Sequence, residues 1–189
     1  DVVAASAAHL PMQNIRRWLA DPAVPGTRKG FYGLALGLAL DSADRQANEA
    51  LLRQQILTPE DDFRSGFDGV LGGYLLLAGT PGLELIEARY LAAPAAAVGD
   101  VRHAMTALRF YQECGRQIPT ARLSQALRHV LARPEFAEAA IVDLARWRDW
   151  TAARQIAALY TSEPFRQPGT RRAIVGYLSA CPLPEATDE

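Results

Sequence analysis

The stretch TARLSQALRHVLARPEFAEAAIVDLARW (Thr120–Trp147) decides the fold. Leu123, Ala126, Leu127, Val130 and Leu131 recur at the i, i+3, i+4, i+7, i+8 spacing of a helix with one buried face. Arg122, Gln125, Arg128 and His129 fall between them and are expected to face water. Pro119 and Thr120 supply a start. Arg133–Pro134 supplies a stop, because the residue before a proline is pushed out of helical geometry. A second helix starts at Pro134, where the missing N–H costs nothing. Glu135 and Glu138 suit its positive end. Ala137, Ile141 and Leu144 form one apolar row, and Phe136, Ala140 and Trp147 form another.

The pairing recurs along the chain. Pro11–Ala20 reads as a short first helix, and Thr27–Leu40 as an apolar helix rich in glycine. Asp41 or Ser42 can cap Ala43–Leu57, and Asp61 or Asp62 can cap Phe63–Ala78, which Gly79 ends. Thr80 and Pro81 start a helix that runs to Leu91. Asp100 can cap Val101–Cys114, closed by Gly115. A helix near Thr151–Tyr160 places Ala153, Ile156, Ala157 and Tyr160 on one side. Gly169 or Thr170 precedes Arg171–Cys181, which Pro182 ends. No stretch alternates with period two for long enough to demand a strand.

Helices of one type end near Leu40, Gly79, Gly115, Asp149 and Cys181, at intervals of 39, 36, 34 and 32 residues. A tight turn and a second helix follow each of the first four. Self-similarity at this period marks a helical-repeat array. The expected fold is all-α: a right-handed α-α superhelix, or solenoid, of about four to five stacked helix pairs. It occupies residues 11–181 as a single domain, between an N-terminal tail (1–10) and a C-terminal tail (182–189).

This pattern resembles HEAT or armadillo-type repeats over roughly residues 27–181. The strings DFRSGFDGVLGGYLLLAGTPGLELIEARYLA (Asp62–Ala92) and FAEAAIVDLARWRDWTAARQIAALYTSEP (Phe136–Pro164), with RRAIVGYLSAC (Arg171–Cys181), resemble a bacterial family of uncharacterised HEAT-like proteins. That family is often seen with export signals. The resemblance implies the superhelix and slightly favours an exported or periplasmic location over a cytoplasmic one. It brings no active site with it. The opening DVVAASAAHLP would suit a short tail after a cleaved leader.

Composition bounds the function. At 189 residues and 49% apolar, the chain can bury a sizeable core. Its net charge of −1 argues against a general polyanion binder. Charge is unevenly spread, however. Residues 1–99 carry 8 Lys/Arg and 11 Asp/Glu, whereas residues 101–184 carry 12 Arg and 6 acids. A basic C-terminal half suits an acidic partner; it also reads as a solvated arginine-rich surface. No run reaches the ~18 apolar residues of a membrane span, so no transmembrane segment is expected.

The motifs point to packing and recognition more than to chemistry. Gly30, Gly33 and Gly37, then Gly66, Gly69, Gly72 and Gly73, sit inside expected helices. Each costs about 0.5–1 kcal/mol against alanine, so close approach of neighbouring backbones is expected to compensate. No lysine and Ser/Thr follow them in phosphate-loop spacing. The most distinctive cluster is Arg146-Trp147-Arg148-Asp149-Trp150. Arg146, Trp147, Arg148 and Trp150 are the candidate binding residues, since Trp and Arg anchor interfaces. The alternative packs Trp147 in the core, seats Trp150 in the turn, and ties Arg146 or Arg148 to Asp149 or Asp143.

The acidic run Pro59–Asp62 lacks the spacing of a calcium loop and reads as helix capping. His9, His103 and His129 have no metal-ligand spacing. Neither His-Glu-x-x-His nor Gly-x-Ser-x-Gly occurs. No metal, cofactor or catalytic residue is therefore expected, and the chain is not read as an enzyme. Cys114 and Cys181 fall at equivalent helix ends two repeats apart. That places them on the order of 16–20 Å apart, beyond the ~7 Å limit for a disulfide. Two free, mostly buried thiols are expected.

The functional expectation is a protein-interaction or assembly module without catalytic activity. Such a module would serve as an accessory subunit whose partner is another protein of a larger complex. The alternative, less favoured, is a nucleic-acid-binding HEAT-like protein that uses the arginine-rich C-terminal half.

Overall fold

Ten α-helices and no strand form among the described residues, which are 11–39, 43–58 and 64–182 of a computed structural model. The caps expected at Asp41, Ser42, Asp61 and Asp62 lie outside that range. So do the run Pro59–Asp62, His9, the tail 1–10 and residues 183–189. Contacts divide the chain into two units, one ending at Pro119 and one beginning at Thr120.

The first unit contains α1 (Met12–Ala20), α2 (Gly26–Leu38), α3 (Arg45–Leu57), α4 (Phe67–Ala78), α5 (Thr80–Ile86) and α6 (Val98–Cys114). A π-helical turn, Glu87–Leu91, continues α5. Helix α4 is central and packs against α2, α3, α5 and α6. From Phe67 to Leu77 every residue except Asp68 is buried. A helix covered on all sides has no polar face, which is why its sequence is apolar throughout.

Glycine sets the contact between α2 and α4. Gly30, Gly33 and Gly37 lie on one face of α2 and meet Gly66, Gly69, Val70 and Gly73 of the facing chain, backbone against backbone. A Cβ on Gly33 would come within 2.7 Å of the Val70 Cα. Gly72 points elsewhere, towards the ring of Phe110 on α6. Helix α4 starts at Phe67, later than the expected Phe63, because Gly66 takes φ +75° and a right-handed helix cannot pass through that conformation.

Asp100 was expected to cap α6. It lies instead inside the first turn of a helix that begins at Val98. Its carboxylate faces Arg64 at 2.7 Å. The Arg64 guanidinium lies 3.4 Å above the Phe67 ring and donates to Tyr90 Oη, which in turn donates to the Ile56 carbonyl. Burial opposes the Arg64 charge. The bonds to Tyr90 and Asp100 outweigh it and hold the guanidinium pKa above its usual value.

The second unit contains α7 (Thr120–Leu127), α8 (Pro134–Arg146), α9 (Ala153–Leu159) and α10 (Pro168–Ala180). Helix α7 tightens into a 3-10 segment over Arg128–Ala132, and 3-10 turns at Trp150–Ala152 and Glu163–Phe165 bracket α9. Helix α8 packs on α10 and on the segment after α7, and α9 packs on α10. The apolar row Leu123, Ala126, Leu127, Val130 and Leu131 is buried throughout, as are Phe136, Ala137, Ala140, Ile141 and Leu144.

Two expectations are corrected here. In α9, Ile156 is buried together with Ala152, whereas Ala157 is exposed and Tyr160 is 43% exposed. Tyr160 falls just past the last residue of α9, Leu159. Both cysteines are free, but Cys114 is exposed and Cys181 is half-buried. Each lies at the end of its helix (the last residue of α6, the first after α10), where the buried stripe has run out.

Glycine spacing yields the first prediction. Gly33→Ala destabilises the protein by about 3 kcal/mol in urea unfolding, because backbone must move to admit one methyl group. Gly176→Ala is the control: nothing lies within 4 Å of its Cβ position, and it gains up to about 1 kcal/mol from helix propensity.

Candidate interaction surface

The segment Arg146–Trp150 turns the chain from α8 into the next element. The N–H of Asp149 donates to the Leu144 carbonyl at 2.9 Å, and that of Arg148 to the Ala145 carbonyl at 3.1 Å. These two bonds define a Schellman ending, whose left-handed position normally holds glycine. Arg148 occupies it with φ 56°, the only non-glycine residue at positive φ among the described residues.

Asp149, buried in the turn, holds it together. Arg128 grips the carboxylate with two parallel bonds: Nε to Oδ2 at 2.7 Å and Nη2 to Oδ1 at 2.8 Å. Thr151 adds its hydroxyl at 2.6 Å and its N–H at 3.3 Å, which caps the 3-10 turn. The Asp149 carbonyl accepts the Tyr177 hydroxyl of α10. Trp150 sets its ring edge-on to Tyr177, with centroids 5.2 Å apart. Burial and the nearby Asp149 charge push the Tyr177 hydroxyl up to about 12.

This node overturns one expectation and narrows another. Arg128 was expected to face water; Asp149 draws it inward to a half-buried position. Arg146 or Arg148 was expected to tie to Asp149 or Asp143: the Asp149 bonds go to Arg128 and Thr151, and it is Asp143 that Arg146 pairs with. The four candidate residues are thereby sorted. Trp147 and Trp150 are half-buried, while Arg146 and Arg148 are exposed. Arg146 is 72% exposed and stands 3.9 Å from Asp143, beyond hydrogen-bonding distance.

A groove of about 420 Å³ opens between α8 and α10. Val142, Ala145, Ala173 and Gly176 make its apolar floor, and Arg146, Arg172 and Glu138 are its charged wall residues. The Glu138 carboxylate lies against Gly169 in the first turn of α10, at the positive end of that helix. Further apolar surface flanks α10. Val175 is 51% and Leu178 38% exposed, and Arg171 stacks 5.2 Å over the ring of Tyr160. Four of the six exposed large apolar side chains among the described residues are Val142, Tyr160, Val175 and Leu178.

The sequence reading missed Val142, Arg172, Ala173, Gly176, Val175 and Leu178. A signal existed. Val142 interrupts the polar row Glu135, Glu138, Arg146, and Val175 and Leu178 lie off the buried row Thr170, Ile174, Tyr177.

The first unit offers a different feature. A cleft of about 390 Å³ is lined in part by Lys29, Gln55, Arg64 and Phe67. Its Arg64 is already committed to Asp100 and Tyr90. His103 Nδ1 lies 3.1 Å from Asp68. Among the described residues no three His, Cys, Asp or Glu side chains converge as a metal site would require, and no helix is long and apolar enough to cross a membrane. No protein-family model, curated protein or solved structure matches the chain.

The Asp149 node gives two predictions. Asp149→Ala destabilises by about 3 kcal/mol in urea unfolding, since it strips a half-buried arginine of its partner and a turn of its cap. Tyr177 is held neutral in the folded state, so its contribution is complete below pH ~10 and is lost as pH rises to ~12. Stability measured across that window falls more steeply in the native protein than in Tyr177→Phe.

Proposed function

We propose that this chain is a protein-interaction module, built as a HEAT-like stack of helix pairs, that joins a larger complex as a non-catalytic accessory subunit. The observation that carries the reading is the exposed apolar surface of α8, α9 and α10. Four of the six exposed large apolar side chains among the described residues fall on these helices or directly after α9, and apolar surface gathered in one region marks a contact site. Repeat stacks also recognise partners through extended helical faces. In each unit the helices of one type lie side by side, α2–α4–α6 in the first and α8–α10 in the second, which supports the stack.

Arg148 supports the same surface. A left-handed arginine costs about 1–2 kcal/mol where glycine would cost little. Strain kept at an exposed position points to use. Arg146 and Arg148 then serve as reachable cations at the rim, with half-buried Trp147 between them, and Trp150, edge-on to Tyr177, holds the turn that presents them. A protein partner is favoured over nucleic acid because Arg128, Arg133 and Arg166 already face carboxylates at 2.7, 2.8 and 2.5 Å. That withdraws three of the twelve arginines of residues 101–184 from a phosphate backbone, and the exposed apolar side chains beside the rest have no use for one.

The test is affinity purification of the tagged chain from its native source. A protein partner is expected at fixed stoichiometry, and Val175→Asp with Leu178→Asp is expected to release it while helicity by circular dichroism stays unchanged. Equal recovery with both proteins, or no partner at all, overturns the reading. Arg148→Gly makes a second test. It gains about 1 kcal/mol in unfolding and loses partner affinity, the trade expected of a strained contact residue.

A further inference from the structure

Resting on that reading, we propose that the groove between α8 and α10 receives the apolar face of an acidic amphipathic helix from the partner protein. Three observations carry this: length, floor and charge. The groove wall runs from Glu138 to Arg146 along α8. At 1.5 Å per residue that is about 12 Å, the reach of an i, i+4, i+7 set of anchors. The floor is made of small residues, and the position above Gly176 is open, so large side chains have room to enter.

The charge selects the partner. Arg146 is 72% exposed and its ion pair with Asp143 is loose, at 3.9 Å, and Arg172 carries no ion pair among the described residues. Arg148 adds a third exposed cation beyond the end of α8. Glu138, the one acid in the wall, is already placed at the positive end of α10. A helix with glutamates beside its apolar row completes this arrangement, and a basic one meets repulsion. Its acidic residues sit towards the Arg146 end, away from Glu138. A membrane surface is too flat to fill the groove, and an apolar floor offers nothing to a phosphate chain.

The test is an NMR titration of the full chain with a synthetic peptide of about 18 residues, long enough to hold a helix in water. Leucines occupy i, i+4 and i+7 and glutamates flank them; a matched peptide carries lysines instead. The glutamate peptide is expected to shift the amides of Val142, Ala145, Ala173 and Gly176 and to bind about tenfold tighter than the lysine peptide. Arg172→Glu is expected to reverse the preference, and Val142→Glu to weaken both.

Silence of the glutamate peptide, equal binding of the two, or shifts confined elsewhere overturns the proposal. So does perturbation of the groove by duplex DNA or phosphatidylserine vesicles while the glutamate peptide is silent. Concentration-dependent shifts of the free protein at these positions assign the groove to a second copy and overturn it too. If Val142→Glu releases the native partner and the glutamate peptide still fails, the interaction reading stands and the acidic-helix inference falls. If no native partner is captured and no peptide binds, both fall.

Discussion

One buried carboxylate organises the second unit. Asp149 receives two bonds from Arg128 after α7 and two from Thr151 in the next turn, while its carbonyl receives the hydroxyl of Tyr177 from α10. Charge-assisted bonds to a buried acceptor are strong because water does not compete for it. They fix where α8 ends, and so where Arg146 and Arg148 emerge. They also fix α10 through Tyr177, and with it the second wall of the groove. The exposed surface is thus a consequence of a polar interaction beneath it.

The first unit meets a similar problem by other means. It places α2 against α4 through glycine, where no side chain separates the backbones. The result is rigid registry at the cost of helix propensity. Arg64 then ties the start of α4 to α6, through Asp100 and the stacked ring of Phe67. Both units use an arginine–aspartate pair to join elements distant in sequence, Arg64–Asp100 in one and Arg128–Asp149 in the other.

Much of this was legible in the sequence. The all-helical class, the helix breaks at Gly79, Pro134 and Pro182, and the reason for the glycine clusters follow from periodicity and backbone sterics. The Arg146–Trp150 segment was legible as a distinctive cluster but not as a geometry. Its partner Arg128 lies on another element, and sequence spacing says nothing about pairs made only by the fold. Arg128 looked like a surface residue because it falls between apolar positions. Val142 stood out by interrupting a polar row, but the groove it lines with Gly176 was invisible for a related reason: a groove is a property of two helices, and sequence spacing describes only one. Spacing placed Tyr160 on one side with Ile156, but it does not say how far along that side burial extends, and Tyr160 follows the last residue of α9 and is exposed.

The central claim is that another protein binds over the exposed apolar side chains of the second unit. Hydroxyl-radical footprinting of the chain, alone and within its purified native complex, tests it most directly, because oxidation reads side-chain exposure residue by residue. Protection of Val142, Tyr160, Val175 and Leu178 in the complex, with Phe31 of the first unit unchanged, is the predicted result. Unaltered oxidation of those four side chains, or protection confined to the first unit, would contradict it.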